Sequence, residues 1–147
     1  MVRSAGGRGE PVAGHPMRVE SILLAHPDAA VRGRLARTLA GPGRMIHQAR
    51  DAGAALAVAG QARPHVLLTA LHLPGGVDGF ALLQALRRGG MDLEAIVWAP
   101  APGLEALSAA RRLGVLELIG GSLDAEAVER SVSNAFRVRE LRLGESR

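Results

Sequence analysis

"RPHVLLTALHLPGGVDGFALLQALR", residues 63–87, contains a strand, a tight loop and a helix in one run. Residues 65–71 are almost continuously apolar, as a parallel strand covered on both faces must be. Pro74, Gly75 and Gly76 then mark a turn. Over residues 78–88 the period lengthens: Phe80, Leu82, Leu83 and Leu86 fall on one broad helical face, with Asp78 placed to cap the helix start. In an open α/β sheet, chemistry sits at the carboxyl ends of the strands. This strand ends in Thr69, Ala70 and Leu71, with nothing that ionises before His72.

The same unit recurs on both sides. Strands are predicted at 19–25, 44–49, 94–99 and 115–120, and helices at 27–41, 51–62, 103–114 and 124–143. Asp28 is the expected cap of the first helix and Gly41 its stop. In the fourth helix Leu104, Leu107, Ala110 and Arg111 recur at helical spacing; in the last, Val128, Val132, Ala135 and Phe136 point inward. Strands alternating with helices of this length imply right-handed crossovers and a parallel sheet. The expected fold class is α/β: a three-layer, doubly wound, five-stranded parallel sheet of order 2-1-3-4-5, flavodoxin-like. It occupies residues 18–143, between a disordered leader (1–17) and a disordered tail (144–147).

Composition narrows the chemistry. The 147 residues are 48% hydrophobic but only 2% aromatic, so the core is aliphatic. No cysteine is present, which excludes disulfides, thiolate nucleophiles and cysteine-held metals. All 18 basic residues are Arg, so neither a Walker motif nor a Schiff base can form. "GPG" at 41–43 ends a helix and precedes a strand, the wrong context for a dinucleotide loop. No apolar run reaches the roughly 20 residues of a membrane helix, and the first residues lack the apolar stretch of a secretory signal; a cytoplasmic protein is expected. The net charge of +4 is spread along the chain, and aromatics for base stacking are few, so nucleic-acid binding is not favoured.

Residues 63–87 resemble the third strand, Leu-Pro-Gly loop and Asp-Gly helix start of the receiver domain of two-component response regulators. "SILLAHPDAAVRGRL" (21–35) is similar to the first strand and helix of that family, and "LGVLELIGGSLDAEAVERSV" (113–132) to the fifth strand and the approach to the last helix. The resemblance implies an aspartate at the end of strand three that accepts a phosphoryl group from a partner's phosphohistidine. It further implies an acid pair for Mg²⁺ after strand one, a hydroxyl ending strand four and a lysine ending strand five. Mg²⁺ needs hard oxygen ligands, the acceptor a nucleophilic carboxylate, and the spreading charge a cation. Carried onto this chain, the acceptor falls on Ala70, the acid pair on His26 and Pro27, the hydroxyl on Ala99, and the lysine on Gly121, with Leu118 at the aromatic switch position. None offers the required group. Asp28 remains, read as a helix cap.

These readings describe a degenerate pocket of His26, Pro27, Ala70, Ala99 and Gly121, with no phosphoacceptor, no catalytic residue, no metal and no cofactor expected. A zinc site from His26, His72 and Asp28 is weighed and set aside, because no helical i,i+4 pair of ligands is present. Thr69 neighbours Ala70, but strand alternation points it the other way. The expected role is a phosphorylation-independent protein-interaction module, a pseudo-receiver and not an enzyme. It would meet a partner of a bacterial signalling pathway, or a second copy, through the face of helix four, strand five and helix five. Arg111, Arg112, Leu116, Leu118, Arg130 and Arg137 are the candidate contacts. Two alternatives stand beside it: a phosphorelay regulator with displaced acceptor chemistry, and weak nucleic-acid binding through the Arg-rich last helix.

Overall fold

A computed structural model describes residues 19–145; the predicted leader 1–17 and the last two residues of the predicted tail lie outside them. Strand and helix alternate: β1 (Glu20–Ala25), α1 (Ala29–Leu39), β2 (Arg44–Ala49), α2 (Ala52–Ala62), β3 (Val66–Ala70), α3 (Gly79–Arg88), β4 (Glu94–Trp98), α4 (Leu104–Arg112), β5 (Glu117–Ile119) and α5 (Ala125–Glu145). Every strand pair is parallel, and the order is β2-β1-β3-β4-β5, the expected 2-1-3-4-5.

Alternation along the strands builds the layers. Ile22, Leu24, Val66, Leu68 and Ile96 face α1 and α5, where they meet Leu35, Leu39, Val128, Val132 and Ala135. Leu23, Ala25, Leu67 and Ala95 face α2 and α3, meeting Ala52, Ala55, Ala59, Leu82, Leu83 and Leu86. Leu71, Val97 and Ala99 extend this second face towards Phe80 and Ala110. All five residues of β3 are buried, which is why its sequence is an unbroken apolar run.

The boundaries have local causes. Asp28 accepts from the amides of Ala30 (2.8 Å) and Val31 (3.4 Å), so it caps α1 as expected. Asp78 caps α3 by accepting from Ala81 N at 2.9 Å. Helix α1 stops at Leu39, before Gly41, because Ala40 turns extended and Arg44 donates to the Leu39 carbonyl (3.0 Å). β5 is shorter than the predicted 115–120. The Val115 amide donates back to Ala110 O (2.9 Å) at the end of α4, and Gly121 turns out of the strand at φ 76. α5 continues to Glu145, past the predicted end at 143, and Arg142 ties its last turns to Asp92 and Glu94. Of the α4 residues that recur at helical spacing, only Ala110 is buried, while Leu104 is 84% and Leu107 50% exposed. The three-residue edge strand beneath α4 offers too little surface to cover both leucines.

One glycine is sterically required. A Cβ at Gly79 would lie 2.5 Å from the Ala70 carbonyl oxygen, so α3 can start directly over the end of β3 only without a side chain there.

Candidate functional site

The carboxyl ends of β1, β3 and β4 converge where the strand order reverses, the place a site is expected. In register, Ala70 lies opposite Trp98, and Trp98 opposite Ile119. Trp98 therefore shares the sheet face of Ala70, the α1/α5 side. Its indole N–H donates to the Gly121 carbonyl (2.8 Å), and its ring tilts against His26 with centroids 5.5 Å apart. The ring thus spans the crevice from the end of β1 to the turn after β5. Beneath it remains a cavity of about 10 Å³, lined by His26, Leu35, Leu68, Ala70, Trp98 and Leu123 among others, with no carboxylate. That is barely the space of one water.

His26 is held on every side. Its Nδ1 accepts from Asp28 N (3.0 Å), placing the proton on Nε2, and its carbonyl accepts from Arg32 (2.6 Å). Burial lowers its pKa from the ordinary 6.5; nearby Arg32 and Arg34 lower it further, against a raising pull from Asp28. The imidazole is neutral at pH 7, as an aromatic neighbour for Trp98 rather than a counter-charge.

The predicted pocket residues are not all brought together. His26 and Ala70 line the crevice. Ala99 points to the opposite face, into a separate depression of about 340 Å³ with Leu71, His72, Asp78, Phe80 and Glu105. Pro27 leads into α1 and lines neither cavity. Gly121 contributes only its carbonyl. His72 opens into the second depression while His26 lies under Trp98, and Asp28 is occupied as a cap, so the three candidate zinc ligands do not meet. Among the described residues no group of three or more His, Cys, Asp or Glu is placed to hold a metal ion. Thr69 is 1% exposed, with its methyl towards α3 and its hydroxyl donating to Ala70 O (2.8 Å).

The candidate contact residues also divide. Leu116, Leu118 and Arg111 line a groove of about 600 Å³ together with Leu104, Leu107, Ser108, Val115 and Glu117. Arg112 is exposed beside it. Arg130 and Arg137 are exposed on α5 but do not line the groove.

Trp98, Leu104 and Leu107 are the residues that sequence reasoning missed. The first carried a signal, as the only Trp in the chain and two residues beyond Ile96 on the same strand. The second and third showed only their helical spacing in the fourth helix.

No family model matches the chain, and neither does any curated protein. Solved structures do. The signal receiver domain of an HD domain-containing protein from Pseudomonas fluorescens is 23% identical with a TM-score of 0.76, over 84% of this chain and 98% of that one. A CheY-like response regulator receiver domain from Methanospirillum hungatei is 18% identical at TM-score 0.77, over 84% of this chain and 98% of that one. NtrX from Brucella abortus, solved in complex with ATP, is 24% identical at TM-score 0.77, over 86% of this chain and 29% of that larger one. The chain has the fold of response-regulator receiver domains. In its crevice, Trp98 stands over Ala70.

Proposed function

We propose that this chain is a receiver-fold signalling module that acts through protein contacts and takes up no phosphate. One observation carries the reading: the position beside Trp98 that would carry an acceptor holds the methyl of Ala70, and no carboxylate lines the cavity around it. Phosphoryl transfer is positioning plus electrostatic stabilisation by metal and cation, and the lining of that cavity includes no carboxylate, Arg or Lys. Thr69 does not replace the acceptor, because it is buried on the other face and its hydroxyl is spent on the Ala70 carbonyl.

The contact surface is the α4–β5 groove, where Leu104, Leu107, Leu116 and Leu118 form an apolar floor with Arg111 and Glu117 at its rim. An apolar centre with a charged margin suits a protein partner or a second copy of the chain. Arg139 and Arg142 of α5 face the body of the protein, which leaves the nucleic-acid alternative with fewer free cations than the sequence suggested.

Two measurements test this. Acetyl phosphate with Mg²⁺ is expected to leave the intact mass unchanged and the melting temperature where it was; a stable acid-labile adduct would restore the phosphorelay reading. Leu104→Glu combined with Leu107→Glu is expected to abolish self-association or capture of the partner while the melting temperature stays within a few degrees, because both side chains are already exposed. Undiminished association in that variant would move the contact surface elsewhere.

A further inference from the structure

The opposite edge of the sheet, where the strands begin, carries a second convergence of side chains. Arg63 follows α2, His65 precedes β3, Asp92 precedes β4, and Arg139 comes from α5; with Pro64 and Met91 they line a depression of about 240 Å³.

Three observations give it an electrostatic purpose. First, Arg139 Nε is buried without a hydrogen-bond partner, whereas buried polar atoms are ordinarily satisfied. Second, Arg63 has φ 49, the only positive φ of a non-glycine residue among those described. It occupies the left-handed C-cap of α2, where glycine is the ordinary choice. Backbone strain kept for the sake of a side chain points to use of that side chain. Third, the one acid of the depression is engaged: Asp92 pairs with Arg142 at 3.1 Å. Neither Arg63 nor Arg139 has an ion pair with a described residue; Arg139 acts on Asp92 only at longer range, lowering its pKa after the Arg142 hydrogen bond. Two guanidinium groups therefore share the space with one carboxylate already held by Arg142.

We propose that this depression binds a compact phosphate monoester, its oxygens held between Arg63 and Arg139 with His65 as third donor. Two guanidinium groups suit a dianionic oxyanion. Pro64 and Met91 give the ester group an apolar wall. His65 Nδ1 accepts from Ser21 N (3.3 Å), which leaves Nε2 carrying the proton. Burial and then Arg139 hold the His65 pKa below 6.5, against a weaker raising pull from Glu20. The charged groups around it are Arg63, Arg139, Glu20 (paired with Arg44) and Asp92 (paired with Arg142), with the Phe136 ring edge-on. A bound dianion would therefore raise the His65 titration midpoint.

The test is an NMR titration of the histidine ring resonances of the full chain at constant ionic strength, using inorganic phosphate, glycerol 3-phosphate and chloride. Expected are saturable shifts at His65 with both phosphates, none with chloride, and none at His26. Arg139→Gln should weaken binding about tenfold, the usual effect of losing one charge-assisted hydrogen bond. Arg63→Gly removes the side chain while suiting its backbone, so it should melt no lower than the parent yet bind more weakly. Arg130→Gln, on the exposed face of α5, should bind as the parent does. Unsaturable shifts, an equal response to chloride, a response at His26 instead, or full affinity in Arg63→Gly would each overturn the site. Inorganic phosphate binding without the ester would overturn the monoester assignment, as would a phosphoserine peptide binding more tightly than the free ester.

Discussion

At the scale of single residues, Trp98 closes the crevice at the carboxyl ends of the strands. Trp98 reaches across where Ala70, its register partner on β3, presents only a methyl. The ring joins β1 to the β5 turn through one aromatic contact and one hydrogen bond. Its removal is expected to reopen the crevice and cost about 2–3 kcal/mol, below the range for a fully buried aromatic because Trp98 is half-buried. Urea unfolding of Trp98→Ala, followed by circular dichroism because the chain has no other tryptophan, checks this. A loss under 0.5 kcal/mol, on the order of ordinary surface substitutions, would mean the ring is an ornament of the surface rather than part of its closure.

Among the elements, the two edges of the sheet are held very differently. β2 is secured by Arg44, whose guanidinium joins Glu20 (2.8 Å), Glu129 (3.0 Å) and the Leu39 carbonyl (3.0 Å), with the Phe136 ring 6.0 Å away. One side chain thereby ties β1, α1 and α5 to the edge strand. At the other edge, α4 buries a single alanine, and its N-cap, Gly103, provides no side-chain hydrogen bond. The α4–β5 corner is thus the part of the sheet best able to rearrange around a partner. Amide exchange in α4 is expected to be faster than in β3, and Gly103→Ser should slow it while adding a few tenths of a kcal/mol, since Gly103 has open space around its Cβ position and an extended backbone. Equal protection of α4 and β3 would contradict this account of the corner.

For the whole molecule, ionisation opposes acidification. His26 and His65 have pKa values lowered below 6.5 chiefly by burial. Glu129 is lowered below 4.5: burial pushes it up, but hydrogen bonds from Arg44 and Ser133 prevail. Asp92 is lowered below 3.8 by its hydrogen bond from Arg142. In each case the unfolded chain binds the proton more readily than the folded one, so stability rises with pH across the interval between the two pKa values. The contribution of the histidines is full above about 6.5 and is lost as pH falls through their folded values; that of the two acids is lost lower still. The urea midpoint should therefore be flat from pH 8 to about 7, fall below it, and fall less in the His26→Gln, His65→Gln double variant. A midpoint that rose on acidification would reverse the assignment.

Class, strand order and helix caps were legible in the linear order of residues, because period, capping chemistry and crossover handedness are local or nearly so. The continuous apolar run at 65–71 could only be a central strand, and Asp28 and Asp78 announced their helices. That position 70 carries no ionisable group was equally readable, since an alanine cannot ionise in any fold. Register was not. That Trp98 rather than Ala99 stands beside Ala70, that Leu104 and Leu107 remain outside, and that Arg63, His65 and Arg139 meet at the far edge all depend on which strand residues pair and how far a three-residue edge extends. Those are long-range packing outcomes, set by the sum of contacts across the sheet and invisible in any one segment.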